Sequence, residues 1–312
     1  MAVLAAGSSV DAAAIRMLKV PDCALYYRIQ GRGKAVLLLA GGPGHAGDYL
    51  AAVFEHISAT RMAILLDQRG TGRSVLQAVD PTTITLEKAI DDLERLRVEL
   101  GVERWALFGH SWGGMLAMAY TAAHPERVDE LMLIGSGGVS LESHGRIGAT
   151  LEARLTPAER DAIRRLQHSD PNDQQPQTAV EIKRLLWNAY VYDPHSLAAI
   201  SARLTSRTYS AEVASIMLAN LKRTKYDLRG RLKLEASTAG SFRGRVLLLY
   251  GNADAWGQGT APELVDVFPR AVVNVISHSG HFPWVESPHE FYRSLDRFLE
   301  HSVAGTSSAV GR

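Results

Sequence analysis

The chain has 312 residues, 46% of them hydrophobic, which is ample for one large domain or two and too apolar for a disordered chain. With 34 basic against 33 acidic residues the net charge is +1, so no global field gathers nucleic acid or anionic lipid, and neither is expected as a partner. A single cysteine, Cys23, excludes an internal disulfide and, with no secretory leader in view, fits a cytoplasmic protein.

In chain order, residues 1–10 are apolar but lack a basic lead-in and reach Ser8, Ser9 and Asp11 too soon for a signal core or a membrane span, so they read as a flexible end. Segments 16–20 and 24–29 read as an antiparallel start at a sheet edge. Short apolar runs ended by glycine or a polar residue then recur at 35–40, 62–66, 105–108, 131–134, 245–250 and 271–276. Each has the character of a buried parallel strand able to sit in the middle of one sheet. Between them fall helical patterns, the clearest at 86–100, where Leu86, Ala89, Ile90, Leu93, Leu96 and Leu100 keep a 3.6-residue stripe, Thr85 can cap the start and Gly101 ends it. Repeated strand, helix, strand predicts an α/β fold with a mostly parallel, doubly wound sheet.

The alternation stops after Gly135 and resumes at Arg245. The intervening residues are polar and mostly helical, interrupted by a loop at 169–176, and read as an inserted helical cap over 139–243, with the core in 11–138 and 244–302. This insert carries 16 basic and 11 acidic residues, for which solvated helix faces are the plain explanation. The Ser-, Gly- and Ala-rich tail, 303–312, reads as a second flexible end.

Gly109-His110-Ser111-Trp112-Gly113 lies between an expected strand and an expected helix, the setting of a sharp turn that presents a serine as nucleophile. Small residues two positions to either side are what such a turn requires, and the following helix aims its first amides at developing negative charge. Serine also needs a base and a group that orients the base. Asp254, in the glycine-led loop after strand 245–250, is the candidate acid; His281, in the loop after the last strand, is the candidate base, ahead of His278. Each has a simpler alternative: Ser111 and Asp254 as helix caps, His281 as a hydrogen-bonded loop residue. Amides of Trp112 and of Gly42, in the loop Gly41-Gly42-Pro43-Gly44, are the candidate oxyanion donors.

The order Ser111, Asp254, His281, together with Gly41-Gly42-Pro43-Gly44, the segment Asp67-Gln68-Arg69-Gly70-Thr71-Gly72-Arg73-Ser74 and the turn at Ser111, resembles the α/β-hydrolase superfamily and, within it, the proline iminopeptidase-like serine peptidases. The resemblance covers about residues 25–135 and 245–300. It implies an α/β-hydrolase fold with a helical lid, the three triad and two oxyanion roles just named, no cofactor or metal, and release of a small N-terminal residue from a short peptide. Two positions depart from the pattern: Ala40 stands where histidine is usual, and Trp187 is followed by Asn188 where a lid Trp-Glu pair is common. Lid acids that could seat a substrate amine are Glu142, Glu152, Glu181, Glu212 and Glu235, while Trp187, Tyr190 and Tyr192 are candidates for a substrate pocket. The alternatives are an esterase or lactonase acting on a small molecule through the same residues, and a non-hydrolysing receptor on the same fold. A metalloenzyme is disfavoured for want of ligand spacing and a dehalogenase because the turn holds serine, not aspartate; oligomeric state is left open.

Overall fold

The computed structural model describes residues 12–168, 175–232 and 242–300. The two ends expected to be flexible, most of the loop at 169–176, and Glu235 lie outside the described residues.

Nine strands form one sheet among the described residues: β1 (Ala14–Val20), β2 (Cys23–Gln30), β3 (Ala35–Leu39), β4 (Met62–Leu66), β5 (Val75–Leu76), β6 (Trp105–His110), β7 (Val128–Ile134), β8 (Arg245–Gly251) and β9 (Val272–Ile276). The spatial order is β1-β2-β4-β3-β6-β7-β8-β9, with β5 beside β2. β1 and β2 pair antiparallel, as the sequence suggests, and everything from β4 to β9 pairs in parallel. β9 departs from the expectation of a central strand. It closes the sheet as an edge, leaving Val272, Val273 and Val275 exposed.

Helices α1 (Ala51–Ser58), α2 (Leu86–Glu99) and α3 (Trp112–Ala123) follow strands of the first half. Between β7 and β8 come α4 (His144–Arg154), α5 (Pro157–His168), α6 (Pro176–Trp187), α7 (Leu197–Ser201), α8 (Ala211–Arg223) and α9 (Arg229–Leu232); α10 (Ala255–Val267), α11 (Pro283–Glu286) and α12 (Pro288–Glu300) complete the chain.

Side chains of a strand alternate between its two faces, and here both faces are covered. Leu37, Leu39, Leu107, Leu131, Leu133 and Leu248 face a layer built with Leu93 of α2, Leu116 of α3 and Leu264 of α10. Val36, Leu38, Phe108, Met132, Leu247 and Leu249 face the opposite layer, with Phe54 of α1 and Phe291, Leu295 and Phe298 of α12. Each fully buried Leu or Phe contributes about 1.5–3 kcal/mol, so these two layers are the main source of stability. Helix α2 begins where expected, with the Thr85 side chain accepting from Lys88 N at 3.2 Å.

The inserted segment divides its allegiance. Ile147 and Leu151 of α4, Ile163 of α5 and Leu155 between them belong to a small separate cluster, whereas Val213, Met217 and Leu221 of α8 join the layer under α2 and α3. The chain passes from β3 to β4 on one side and then to β6 on the other, which opens a crevice at the carboxyl ends of β3 and β6. Gly41 follows the first and Ser111 the second.

Candidate active site

Ser111 connects β6 to α3 with φ 56° and ψ −119°, a conformation that costs a non-glycine residue about 1–3 kcal/mol. Backbone bonds hold it there: Ser111 N donates to Ile134 O at 3.0 Å, while Ser111 O accepts from Gly114 N at 3.0 Å and Gly137 N at 3.1 Å. The flanking glycines are obligatory for contact reasons. A Cβ at Gly113 would stand 2.1 Å from Leu39 O and one at Gly109 would stand 2.5 Å from Gly113 O. Although Ser111 occupies the N-cap position of α3, its side chain makes no capping bond.

Asp254, at the end of β8, and His281, beyond β9, are 1% and 3% exposed, and His281 Nδ1 lies 2.9 Å from Asp254 Oδ1. A carboxylate can only accept, so Nδ1 carries a proton, and in the neutral ring the lone pair is on Nε2. Asp254 also caps α10, since Oδ1 accepts from Trp256 N at 3.0 Å. Capping and orientation therefore coexist at one oxygen. His281 N donates to Tyr190 O at 2.8 Å, fixing the loop that carries the ring. His278 stays exposed, its ring against Tyr192.

Gly42 has φ 119°, and a Cβ there would meet Gly44 N at 2.7 Å. Trp112 is the first residue of α3, where helix geometry leaves amides without an acceptor four residues back. One side chain links these two places: Gln68 Nε2 donates to Ala40 O at 2.8 Å and Gln68 Oε1 accepts from the Trp112 indole at 2.8 Å. The neighbouring Arg69 is buried in a two-pronged pair with Asp92 of α2, at 2.7 and 2.8 Å. Asp67 accepts from Gly47 N and Arg73 N at 2.8 and 2.9 Å. The segment 67–74 is thus a scaffold under the loop 41–44.

With Ala40 at its base, that loop is braced from elsewhere. Gly41 N donates to Tyr49 Oη at 2.6 Å, Tyr49 Oη lies 2.7 Å from His110 Nδ1, and His110 Nε2 lies 2.9 Å from His281 O. A carbonyl only accepts, so His110 donates from Nε2 and accepts from Tyr49 at Nδ1. Burial, assisted by the nearby His281 ring, holds the His110 pKa well below its ordinary 6.5, consistent with this neutral form.

Ser111, His281, Gly41 and Gly42 share a cavity of about 40 Å³. Trp187 and Tyr190, two of the pocket candidates, line it; Tyr192 does not, being 48% exposed after its backbone turns away to donate to Glu286. Tyr190 and Trp256 also border a larger cleft of about 660 Å³ among α4, α5 and α6. No carboxylate of the described residues lines the Ser111 cavity. Glu142 is paired with Arg229, Glu152 borders the larger cleft, and Glu181 and Glu212 are exposed. The cavity wall instead includes the amine of Lys183, whose pKa burial lowers from 10.5 to about 8. His45, stacked on Tyr209 and Trp187, is pushed well below 6.5 by burial and then by Lys183.

Sequence reasoning did not assign roles to Tyr49, His110, Gln68 or Lys183. His110 lies inside the turn motif and Gln68 inside a segment already singled out, so motif membership was the available signal for both; Tyr49 and Lys183 carry none.

Residues 34–288 match the family described as the alpha/beta hydrolase fold. A proline iminopeptidase of Xylella fastidiosa is 44% identical over 122 residues, 38% of this chain and 38% of that protein, so the chain spans little more than a third of the length of the curated relatives it matches. Among solved structures, a proline iminopeptidase of Mycobacterium smegmatis superposes with a TM-score of 0.69 at 22% identity, covering 93% of this chain and 99% of that one. Est816, described as an N-acyl homoserine lactone degrading enzyme, superposes with a TM-score of 0.69 at 23% identity, covering 91% and 100%. At these identities the two structures speak for the fold alone.

Proposed function

The chain belongs to the α/β hydrolase fold family, and from that premise we propose that it is a serine hydrolase working through an acyl-enzyme. In this reading Ser111 Oγ attacks an acyl carbonyl while His281 Nε2 takes its proton, and Asp254 holds the imidazole and stabilises the imidazolium. Amides of Gly42 and Trp112 receive the oxyanion. His281 then protonates the leaving group, and water, activated by the same imidazole, releases the acid. The observation that carries this reading is the 2.9 Å bond from His281 to Asp254 beside a serine held at the strained end of β6.

The substrate is a small acyl compound, because a water molecule takes about 10–15 Å³ of such space and the cavity offers about 40 Å³. Its wall favours an ester or lactone. A free N-terminal amine would require an anionic partner, and the one charged side chain lining the cavity among the described residues is a cation. The competing reading, an aminopeptidase that removes a small N-terminal residue, is supported by the 44% identity to a proline iminopeptidase over part of the chain. Proline and alanine arylamides tested beside short acyl esters separate the two. Ester turnover that is lost in Ser111→Ala, without arylamide turnover, is expected; arylamide cleavage requiring an unblocked amine would establish the peptidase reading instead.

A further inference from the structure

We propose that Lys183 recognises a carboxylate on the substrate, so that the preferred substrates are small monoesters of short dicarboxylic acids. The proposal rests on the hydrolase reading and narrows its substrate class. Lys183 projects from α6 into the cavity that holds Ser111 and His281. Its ammonium lies over the rings of Tyr190 and Tyr209, 5.8 and 5.6 Å from their centroids. It makes no ion pair and no hydrogen bond among the described residues. Aromatic faces attract a cation but accept none of its hydrogen bonds, so none of the three N–H donors meets a protein acceptor among the described residues.

Partial burial of a cation has a cost that a counter-ion offsets, and no carboxylate of the described residues lines this cavity. A catalytic use for the amine is already taken, because His281 with Asp254 occupies the base position. A substrate carboxylate supplies both the charge and the acceptors. Lys183 and Ser111 line the same small cavity, which keeps that carboxylate close to the reacting carbonyl and fits a short acyl group with an acid at its far end. Depression of the Lys183 pKa to about 8 by burial leaves the amine mostly protonated at neutral pH.

The test compares monoethyl succinate with its neutral isostere ethyl succinamate, using the full chain and following hydrolysis by NMR, in wild type, Lys183→Met and Lys183→Arg. Wild type is expected to prefer the anionic ester by about ten- to a hundred-fold in kcat/KM, the worth of one charged hydrogen bond. Lys183→Met should remove that preference, read as the ratio of the two substrates' kcat/KM within each variant, and Lys183→Arg should restore part of it. Calorimetric titration with succinate against succinamide reads the same preference without turnover. Fluorophosphonate labelling of Ser111 in each variant reports whether the catalytic serine is intact. Equal handling of the two ligands by wild type, or an unchanged preference in Lys183→Met with Ser111 still labelled, overturns the carboxylate site. Absence of labelling in wild type overturns the hydrolase reading, and succinate binding lost in Lys183→Met would then still stand for the site.

Discussion

His110 donates from Nε2 to the carbonyl oxygen of His281, 2.9 Å away, so the residue before the candidate nucleophile anchors the backbone of the candidate base. Through Tyr49 the same ring reaches Gly41, and one chain of bonds spans the loop 41–44, the turn at Ser111 and the loop that carries His281. Tyr49→Phe removes both bonds of its hydroxyl. Steady-state kinetics should show kcat reduced about 10- to 100-fold with KM nearly unchanged, because misplacement of catalytic groups acts on the transition state.

Gln68 performs the corresponding task on the other side, joining Ala40 O to the Trp112 indole. Gln68→Ala should lower kcat by about 10- to 100-fold through the candidate oxyanion donors and, because Ala40 O and the Trp112 indole are left unpaired in the interior, should also lower the thermal unfolding midpoint. An equal loss in kcat/KM and kcat is the expected signature.

Arg69, next in sequence, serves stability instead. Its guanidinium is paired with buried Asp92 and also donates to Thr83 O at 2.5 Å. Arg69→Met leaves the Asp92 carboxylate buried and uncompensated, so urea titration should show a loss of about 3–5 kcal/mol.

Burial holds His45 and His110 well below their ordinary pKa of 6.5. As pH falls past that value the unfolded chain takes up protons first, so the stability these groups contribute is complete above about 6.5 and is lost progressively below it. The melting temperature should therefore hold from about pH 8 to near 6.5 and fall from there toward about pH 5. His45→Phe, which keeps the ring stack on Tyr209, should flatten that fall.

Lys183 has the opposite cost structure to a pairing residue. Its folded pKa of about 8 lies below the ordinary 10.5, so the charged form is disfavoured by folding, and the penalty is present below pH 8 and fades as pH rises toward 10.5. Lys183→Met should raise stability at neutral pH by about 1–2 kcal/mol, a figure kept small because the side chain is only partly buried.

What the sequence disclosed follows from how local the determinants are. Ser111, Asp254 and His281 each sit at the end of an apolar run that announces a strand, and the glycines beside Ser111 answer to contacts a few residues away. The boundaries of α2 were equally readable, because Thr85 caps its own helix. The bonds joining Gly41, Tyr49, His110 and His281 pass between segments far apart in the chain, and no periodicity encodes them. Tyr192 was misleading for a related reason: α6 ends at Trp187, so spacing beyond it no longer reports a shared face. β9 has the composition of a central strand but closes the sheet, since edge or centre is decided by which other strands arrive. α8 shows the same dependence, an inserted helix whose Val213, Met217 and Leu221 belong to the main core.

If Ser111 is a nucleophile activated by His281, its hydroxyl reacts with electrophiles only as fast as the imidazole can take the proton. The most direct test is the rate at which a fluorophosphonate modifies the protein, with the adduct located by mass spectrometry in wild type, Ser111→Ala and His281→Ala. A single adduct on Ser111 is expected, none in Ser111→Ala, and a rate in His281→Ala lower by at least about a thousand-fold. Modification of wild type at another residue, or an undiminished rate without the imidazole, would contradict that activation.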